Sequence, residues 1–265
     1  MKKIVVYGIV FLSIAAVMFS NLSAFFTADP SDKTDTGEGK SIFDKFNSDA
    51  KEIEDEIREA ERKRLEEFGG STSAQIEETL VKLETGELTL RQIFANTFFA
   101  GDSLMNGLEI YGILNTDKLS TQVSASLSHL EESIPAIVRA NPQNIILHYG
   151  INMISAQQSQ LDRFIEDYSD LVSEIKEKLP KARIIVSGLF PVDTTIETRE
   201  QFKKTGDYNK ALNAMCEAQD IEFLDSTDAF KGNEDYYAYD GIHVSSGFYS
   251  NVWLPYIIEN KGIIG

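Results

Sequence analysis

From Phe94 onward the chain alternates short apolar runs with longer amphipathic stretches, and few folds can satisfy that alternation. The runs are Phe98-Phe99-Ala100, Lys118 to Val123, Asn144 to Tyr149, Ala182 to Gly188 and Ile221 to Leu224. Between or after them lie Ser128 to Ala140, Leu161 to Leu179, Thr198 to Ala218 and Gly247 to Glu259, each with helical periodicity. Strands alternating with helices imply a parallel sheet covered on both faces and joined by right-handed crossovers. In such a sheet ligands bind beyond the carboxyl ends of the strands. Residues that carry chemistry therefore belong in the segments that follow the strands.

Three such segments hold reactive side chains. Gly101-Asp102-Ser103-Leu104 follows the first run, Gly150-Ile151-Asn152-Met153 follows the third, and Asp240-Gly241-Ile242-His243 lies beyond the fifth. A serine hydroxyl is a poor nucleophile at neutral pH and needs an adjacent base. Imidazole suits that task, because it can take a proton and return it to a leaving group. Asp240, three residues before His243, can accept the second ring N–H and fix the tautomer. Alone, GDS after a strand reads equally well as a turn with a helix cap, and a lone histidine reads as a surface residue. The conjunction of Ser103, Asn152, Asp240 and His243 in this order is what points to acyl transfer. Of the other histidines, His148 falls inside the third strand and reads as core, and His129 reads as the surface of a helix.

These blocks resemble the SGNH (GDSL) hydrolase superfamily, from about Asn96 to the C-terminus, including the terminal stretch YYAYDGIHVSSGFYSNVWL. The resemblance implies a flavodoxin-like three-layer α/β fold with a five-stranded parallel sheet. It also implies Ser103 as nucleophile, with Asp240 and His243 completing the triad. The oxyanion hole would be formed by the Ser103 N–H, the Ser124 N–H and the Asn152 amide. There are two departures. The second block usually supplies a glycine, but Gln122-Val123-Ser124-Ala125 has none, and Ser124 is the positional equivalent. The third block commonly reads G-x-N-D, and Met153 stands where that Asp would be. Asp102, Gly150 and Tyr239 are expected at the substrate-binding surface, with the tyrosines ahead of Asp240 at the mouth of the site.

The N-terminal third reads differently. Ile4 to Thr27 is a run of 24 uncharged residues behind Lys2 and Lys3, long enough as a helix to cross a bilayer. The lysines would hold the N-terminus in the cytoplasm and send the rest outward. A cleaved leader is the competing reading, but Ala24 with Leu22 two residues earlier makes a poor cleavage site. The expected organisation is a membrane anchor at 1–28, a flexible linker at 29–41, a helical stalk at 42–95 and the hydrolase-like domain at 96–265. Within the stalk, Ser71 or Thr72 would cap a second helix running towards Ile93.

Charge and composition narrow the partners. A formal net charge of −17, from 42 acids against 25 bases, repels nucleic acid. The single cysteine, Cys216, permits no intramolecular disulfide and reads as a small buried hydrophobe. No metal-ligand spacing or nucleotide-binding glycine loop is present, so no cofactor is expected. The expected function is a membrane-anchored, extracytoplasmic serine esterase acting on small acyl esters of a cell-envelope or exported glycan. O-acetyl transfer to a polysaccharide with a membrane-bound acyltransferase partner, lipid-directed hydrolysis and a non-catalytic binding module are the alternatives.

Overall fold

The computed structural model describes residues 71–193, 195 and 200–265. Five strands form: β1 (Thr97–Gly101), β2 (Leu119–Thr121), β3 (Asn144–His148), β4 (Arg183–Ser187) and β5 (Glu222–Leu224). They pair in parallel throughout, in the order β2-β1-β3-β4-β5. This is the flavodoxin-like order, which reverses direction between β1 and β3 and leaves a crevice there at the carboxyl ends. β1 is buried at every residue, and β3 and β4 at every residue but the first. Their near-continuous apolar character follows from cover on both faces.

The flanking helices are α1 (Ser73–Glu84), α2 (Leu90–Ile93), α3 (Ser103–Ile110), α4 (Leu127–Ala140), α5 (Gln158–Lys178), α6 (Thr205–Gln219), α7 (Thr227–Phe230) and α8 (Leu254–Lys261). Helix α5 shows why they dock. Leu161, Phe164, Tyr168, Val172 and Ile175 recur at steps of three and four, and all five are buried on one face. Ahead of α8, a single turn at Ser246–Phe248 passes into a π-helical turn at Tyr249–Trp253. Tyr249 and Trp253 are both buried, at 1% and 0% exposure.

The segment before β1 departs from the expected pattern. Thr72 starts α1 through a capping box with Gln75, and Thr89 starts α2 through a second box with Gln92. The two T-x-x-Q sequences, with Gly86 at φ +77° between them, break the expected single helix in two. Helix α1 packs against α8, and Ser71 Oγ donates to the Gly262 carbonyl at 2.9 Å. Ile93 and Phe94 belong to the central core. The boundary drawn at 95/96 therefore falls inside one packed body that already includes α1. The anchor at 1–28, the linker at 29–41 and the stalk up to residue 70 lie outside the described residues. Among the described residues, no helix is long and apolar enough to cross a membrane.

At the amino ends of β4 and β5, away from the segments that carry the reactive residues, lies a nearly buried ion cluster. Arg183 Nε meets Glu222 Oε1 at 2.7 Å, and Lys261 Nζ meets Glu222 Oε2 at 3.3 Å. Arg183 also donates to the Lys261 carbonyl at 2.7 Å, which ties the end of α8 to the sheet. Burial alone would raise the Glu222 pKa, but Arg183 and Lys261 outweigh it and hold the carboxyl below its ordinary value. A lowered carboxylate pKa gives stability that is present at neutral pH and lost as pH falls through the acid range. Glu222→Gln leaves two buried cations short of a counter-charge and is expected to cost about 3 kcal/mol in urea unfolding. The loss should be confined to stability, because the cluster sits at the opposite end of the strands from the reactive residues.

Candidate active site

Ser103 is the first residue of α3, and Asp102 is its N-cap. The turn is held from several sides. The Asp102 N–H donates to the His148 carbonyl at 3.1 Å, and Gln122 N–H donates to the Gly101 carbonyl at 3.2 Å. Asp102 Oδ1 accepts the Leu104 N–H at 3.1 Å. Tyr249 OH donates to the Leu104 carbonyl. Gly107 makes room for that tyrosine, since a Cβ there would lie 2.6 Å from its ring. Ser103 thus sits half-buried at a helix N-terminus, where unsatisfied N–H groups favour a developing negative charge.

Asp240 and His243 arrive from the loop that precedes the last helical run. His243 Nδ1 lies 2.6 Å from Asp240 Oδ2, and His243 Nε2 lies 3.0 Å from Ser103 Oγ. Asp240 Oδ1 accepts the N–H groups of Ile242 and His243, each at 3.0 Å. Burial raises the Asp240 pKa, but the His243 ring and these two N–H groups outweigh it, so the carboxyl stays below its ordinary value and ionised. The loop is closed on itself by Ala238 N–H to the His243 carbonyl at 2.8 Å and by a bridge between Tyr237 and Val244. It is tied to the segment after β4 by Asp193 N–H to the Gly241 carbonyl at 2.8 Å and by Tyr237 OH to the Pro191 carbonyl at 2.7 Å. Beneath it, Phe230 stacks on Tyr237 at 5.3 Å and packs on Phe190 and Phe248 at 5.1 and 4.3 Å. An aromatic platform of this kind fixes a loop without long flexible side chains.

The two other expected oxyanion donors lie on neighbouring loops. Asn152 is exposed, in the turn Ile151–Met153 after β3, and its Nδ2 donates to the Ala125 carbonyl at 3.1 Å. That bond ties the Asn152 loop to the Ser124 loop and leaves the second amide N–H of Asn152 for another acceptor. Ser124 has φ +60°, the left-handed region that favours glycine. Its backbone has the conformation a glycine would supply, although the residue is serine. Gly150, at φ +139°, needs its missing side chain, since a Cβ would meet Leu189 and Phe164 at 3.0 Å.

The GDSL-like lipase/acylhydrolase family profile matches residues 99–249, more than half of the chain. The chain belongs to that family. It is a GDSL-type serine esterase. Similar solved structures include an acetylxylan esterase from Geobacillus stearothermophilus, at 15% identity and TM-score 0.46, covering 62% of this chain and 92% of that one. Another, described as a GDSL-like lipase from Parabacteroides merdae ATCC 43184, has 15% identity and TM-score 0.47, covering 62% and 94%. No curated protein sequence matches the chain.

Within this GDSL-type esterase, the three residues expected at the substrate-binding surface separate. Tyr239 is 95% exposed beside Asp240. Asp102 and Gly150 are buried, and Asp102 has no exposure at all. A carboxylate under the helix cannot reach a substrate above it, which removes Asp102 from the binding surface. Of the two remaining histidines, His148 lies in the core as expected, and His129 lies on its helix but is less exposed than expected. His148 is fully buried, with Nδ1 3.2 Å from Ser187 Oγ and Nε2 without a partner, and burial lowers its pKa to about 3, so it stays neutral. His129 is only half-exposed, with Nδ1 2.9 Å from Tyr149 OH. Cys216 is buried, and burial pushes its thiol up to about 12, which leaves it unreactive.

Sequence patterns alone did not pick out the supports of the site. Tyr208 of α6 donates to the Met153 carbonyl at 3.0 Å and accepts the Ser155 N–H at 3.0 Å. It steadies the loop at Met153, the position where the G-x-N-D pattern would place an aspartate. On the sequence it is one position of an apolar helix stripe with Leu212 and Cys216, a pattern that signals only core.

Ser124 gives a direct test of the oxyanion loop. Relief of roughly 1–2 kcal/mol of left-handed strain in Ser124→Gly is offset by the extra chain entropy of glycine. Thermal unfolding should therefore place that variant within about 1 kcal/mol of wild type, with activity retained. Ser124→Val, β-branched in the same conformation, should lose at least about 1–2 kcal/mol, with kcat falling more than KM changes.

Proposed function

We propose that Ser103 is the nucleophile of a two-step acyl transfer, with His243 as general base and Asp240 as the group that orients it. The observation that carries this reading is the unbroken chain Ser103 Oγ, His243 Nε2, His243 Nδ1 and Asp240 Oδ2, at 3.0 and 2.6 Å. His243 Nε2 takes the Ser103 proton as Oγ attacks the ester carbonyl, and Asp240 stabilises the imidazolium that forms. The oxyanion is received by the N–H groups of Ser103 and Ser124 and by the Asn152 amide. Loss of one such donor costs about 2.7–4 kcal/mol of barrier. Collapse of the tetrahedral adduct expels the alcohol, which takes its proton from His243. Water, deprotonated by the same nitrogen, then releases the acid from acyl-Ser103.

The substrate class in this proposal is a small acyl ester, acetyl foremost, on a glycan of the cell envelope or on an exported polysaccharide. Openness supports it: Ser103 and His243 are half-buried, and Ser124 and Asn152 are exposed. Such a shallow site admits a small acyl group on a bulky polar carrier more readily than a long chain needing enclosure. Tyr239, 95% exposed beside Asp240, is proposed as a platform on which a sugar ring stacks. The uncharged run Ile4 to Thr27 supports a membrane anchor with the esterase outside the cell. If a sugar hydroxyl replaces water in the second step, the same residues perform O-acetyl transfer, with the acyl donor supplied by a membrane-bound partner.

The test is hydrolysis of p-nitrophenyl esters from acetate to decanoate by the purified chain. Acetate should be the preferred ester, and Ser103→Ala should lower kcat at least about 10³-fold without changing the melting temperature by more than a few degrees. Full activity in the variant sinks the nucleophile assignment, and a preference for decanoate sinks the small-acyl assignment. On an acetylated oligosaccharide, Tyr239→Ala should raise KM about 5–20-fold with kcat unchanged, the signature of lost uniform binding.

A further inference from the structure

The loop that carries Asn152 runs from Gly150 to the start of α5 at Gln158. The Met153 N–H closes its first turn on the Gly150 carbonyl at 2.8 Å, and α5 then begins without a side-chain cap. Ile151 and Ile154 are buried in the core on either side of Asn152. Apolar burial is non-directional and does not by itself aim a neighbouring amide, whereas a hydrogen bond is directional. Among the described residues, Tyr208 is the one side chain from another element that binds the backbone between Met153 and Gln157. Its hydroxyl is used in both senses. It donates to the Met153 carbonyl, directly after Asn152, and accepts the Ser155 N–H, each at 3.0 Å. The side chain is 1% exposed and packs on Phe164, with ring centroids 5.3 Å apart. Burial raises the phenol pKa, so the hydroxyl keeps the proton it donates.

The helix that bears Tyr208 is bound in turn. Asn209, the next residue of α6, accepts the Leu189 N–H through Oδ1 at 2.7 Å and donates to the Leu189 carbonyl through Nδ2 at 2.9 Å. Leu189 leads into the segment after β4 whose Pro191 and Asp193 hold the catalytic loop, through Tyr237 and Gly241. The amino-terminal half of α6 therefore links the loop of Asn152 to the segment that fixes Asp240 and His243. We propose that Tyr208 is a positioning residue for the oxyanion hole, its hydroxyl bridging the Met153 carbonyl and the Ser155 N–H so that the Asn152 amide is held in place to meet the oxyanion. The proposal rests on the reading of Ser103 as nucleophile and Asn152 as donor, and deepens it. Without the hydroxyl, the Met153 carbonyl and the Ser155 N–H lose their common partner. The loop then samples other arrangements, and the Asn152 amide is aimed for a smaller fraction of the time. That loss falls on the transition state, where the oxyanion exists, and spares substrate binding.

The test is a double-mutant cycle on p-nitrophenyl acetate, with kcat and KM measured for the wild-type chain, Tyr208→Phe, Asn152→Ala and the double variant, each checked for a cooperative melt. Phenylalanine keeps the ring on Phe164 and removes only the hydroxyl. Tyr208→Phe should lose about 5- to 30-fold in kcat with KM within about threefold, less than the roughly 10²- to 10³-fold loss expected of Asn152→Ala, which removes a whole donor. In the double variant kcat should lie within about twofold of Asn152→Ala alone, because an amide that is absent cannot be misaimed. A role confined to packing would not produce that non-additivity. A folded Tyr208→Phe with kcat within twofold of wild type overturns the proposal, and so do losses that multiply in the double variant. Hydrolysis that survives Ser103→Ala contradicts the nucleophile assignment and takes the proposal with it, whereas a Ser103-dependent rate with multiplying losses overturns the proposal alone.

Discussion

The first N–H groups of α3 have no intrahelical carbonyl to bind, and the way they are satisfied governs the site around them. Asp102 takes the Leu104 N–H from below, while the Ser103 hydroxyl is left beside His243 at the surface. That division falls at the carboxyl end of the buried strand β1, where the Asp102 N–H is bound to the His148 carbonyl at the end of β3. The sheet order allows this, because β1 and β3 are neighbours and both end beneath the same crevice. Tyr249, reaching Leu104 from the π turn, fixes the helix from a segment 145 residues away in sequence.

The catalytic loop depends on a different kind of constraint. Asp240 and His243 are only three residues apart, so one loop conformation sets both their hydrogen bond and the reach to Ser103, 140 residues away in sequence. The loop is held by its own backbone bonds, by the Pro191 and Gly241 contacts and by the rings of Phe190, Phe230 and Phe248 under it. The π-helical turn places Tyr249 and Trp253 on the inner side of the same segment, where Trp253 donates to Ser226 Oγ at 3.0 Å. Widened turns of this kind are common near functional sites.

Most of the architecture was legible in the residues. The five runs became the five strands; β1, β3 and β4 are buried on both faces and have few alternatives to a continuous apolar sequence, whereas β2 and β5 are only half-buried. The helix ends were less legible. The break between α1 and α2 was written in two T-x-x-Q boxes, but only the first, at Thr72, was read as a helix start. Ser103, Asp240 and His243 could be placed because each follows a strand or lies on a loop rich in turn residues. Asp102 was misplaced for an instructive reason: a carboxylate beside a nucleophile looks like a ligand-facing group until its burial is known. Tyr208 and the aromatic platform were hidden because a residue that supports a loop and one that fills a core have the same helical spacing. The left-handed conformation of Ser124 is invisible in the residue type, since serine gives no signal that its backbone stands in for glycine.

The central claim is that Ser103, and no other serine, is made nucleophilic by His243. The most direct measurement is the intact mass and peptide map of the chain after exposure to a fluorophosphonate. One adduct per chain is expected, located on the peptide containing Ser103 and absent in His243→Ala. A folded chain that takes up no reagent, or an adduct at any other residue, would contradict it.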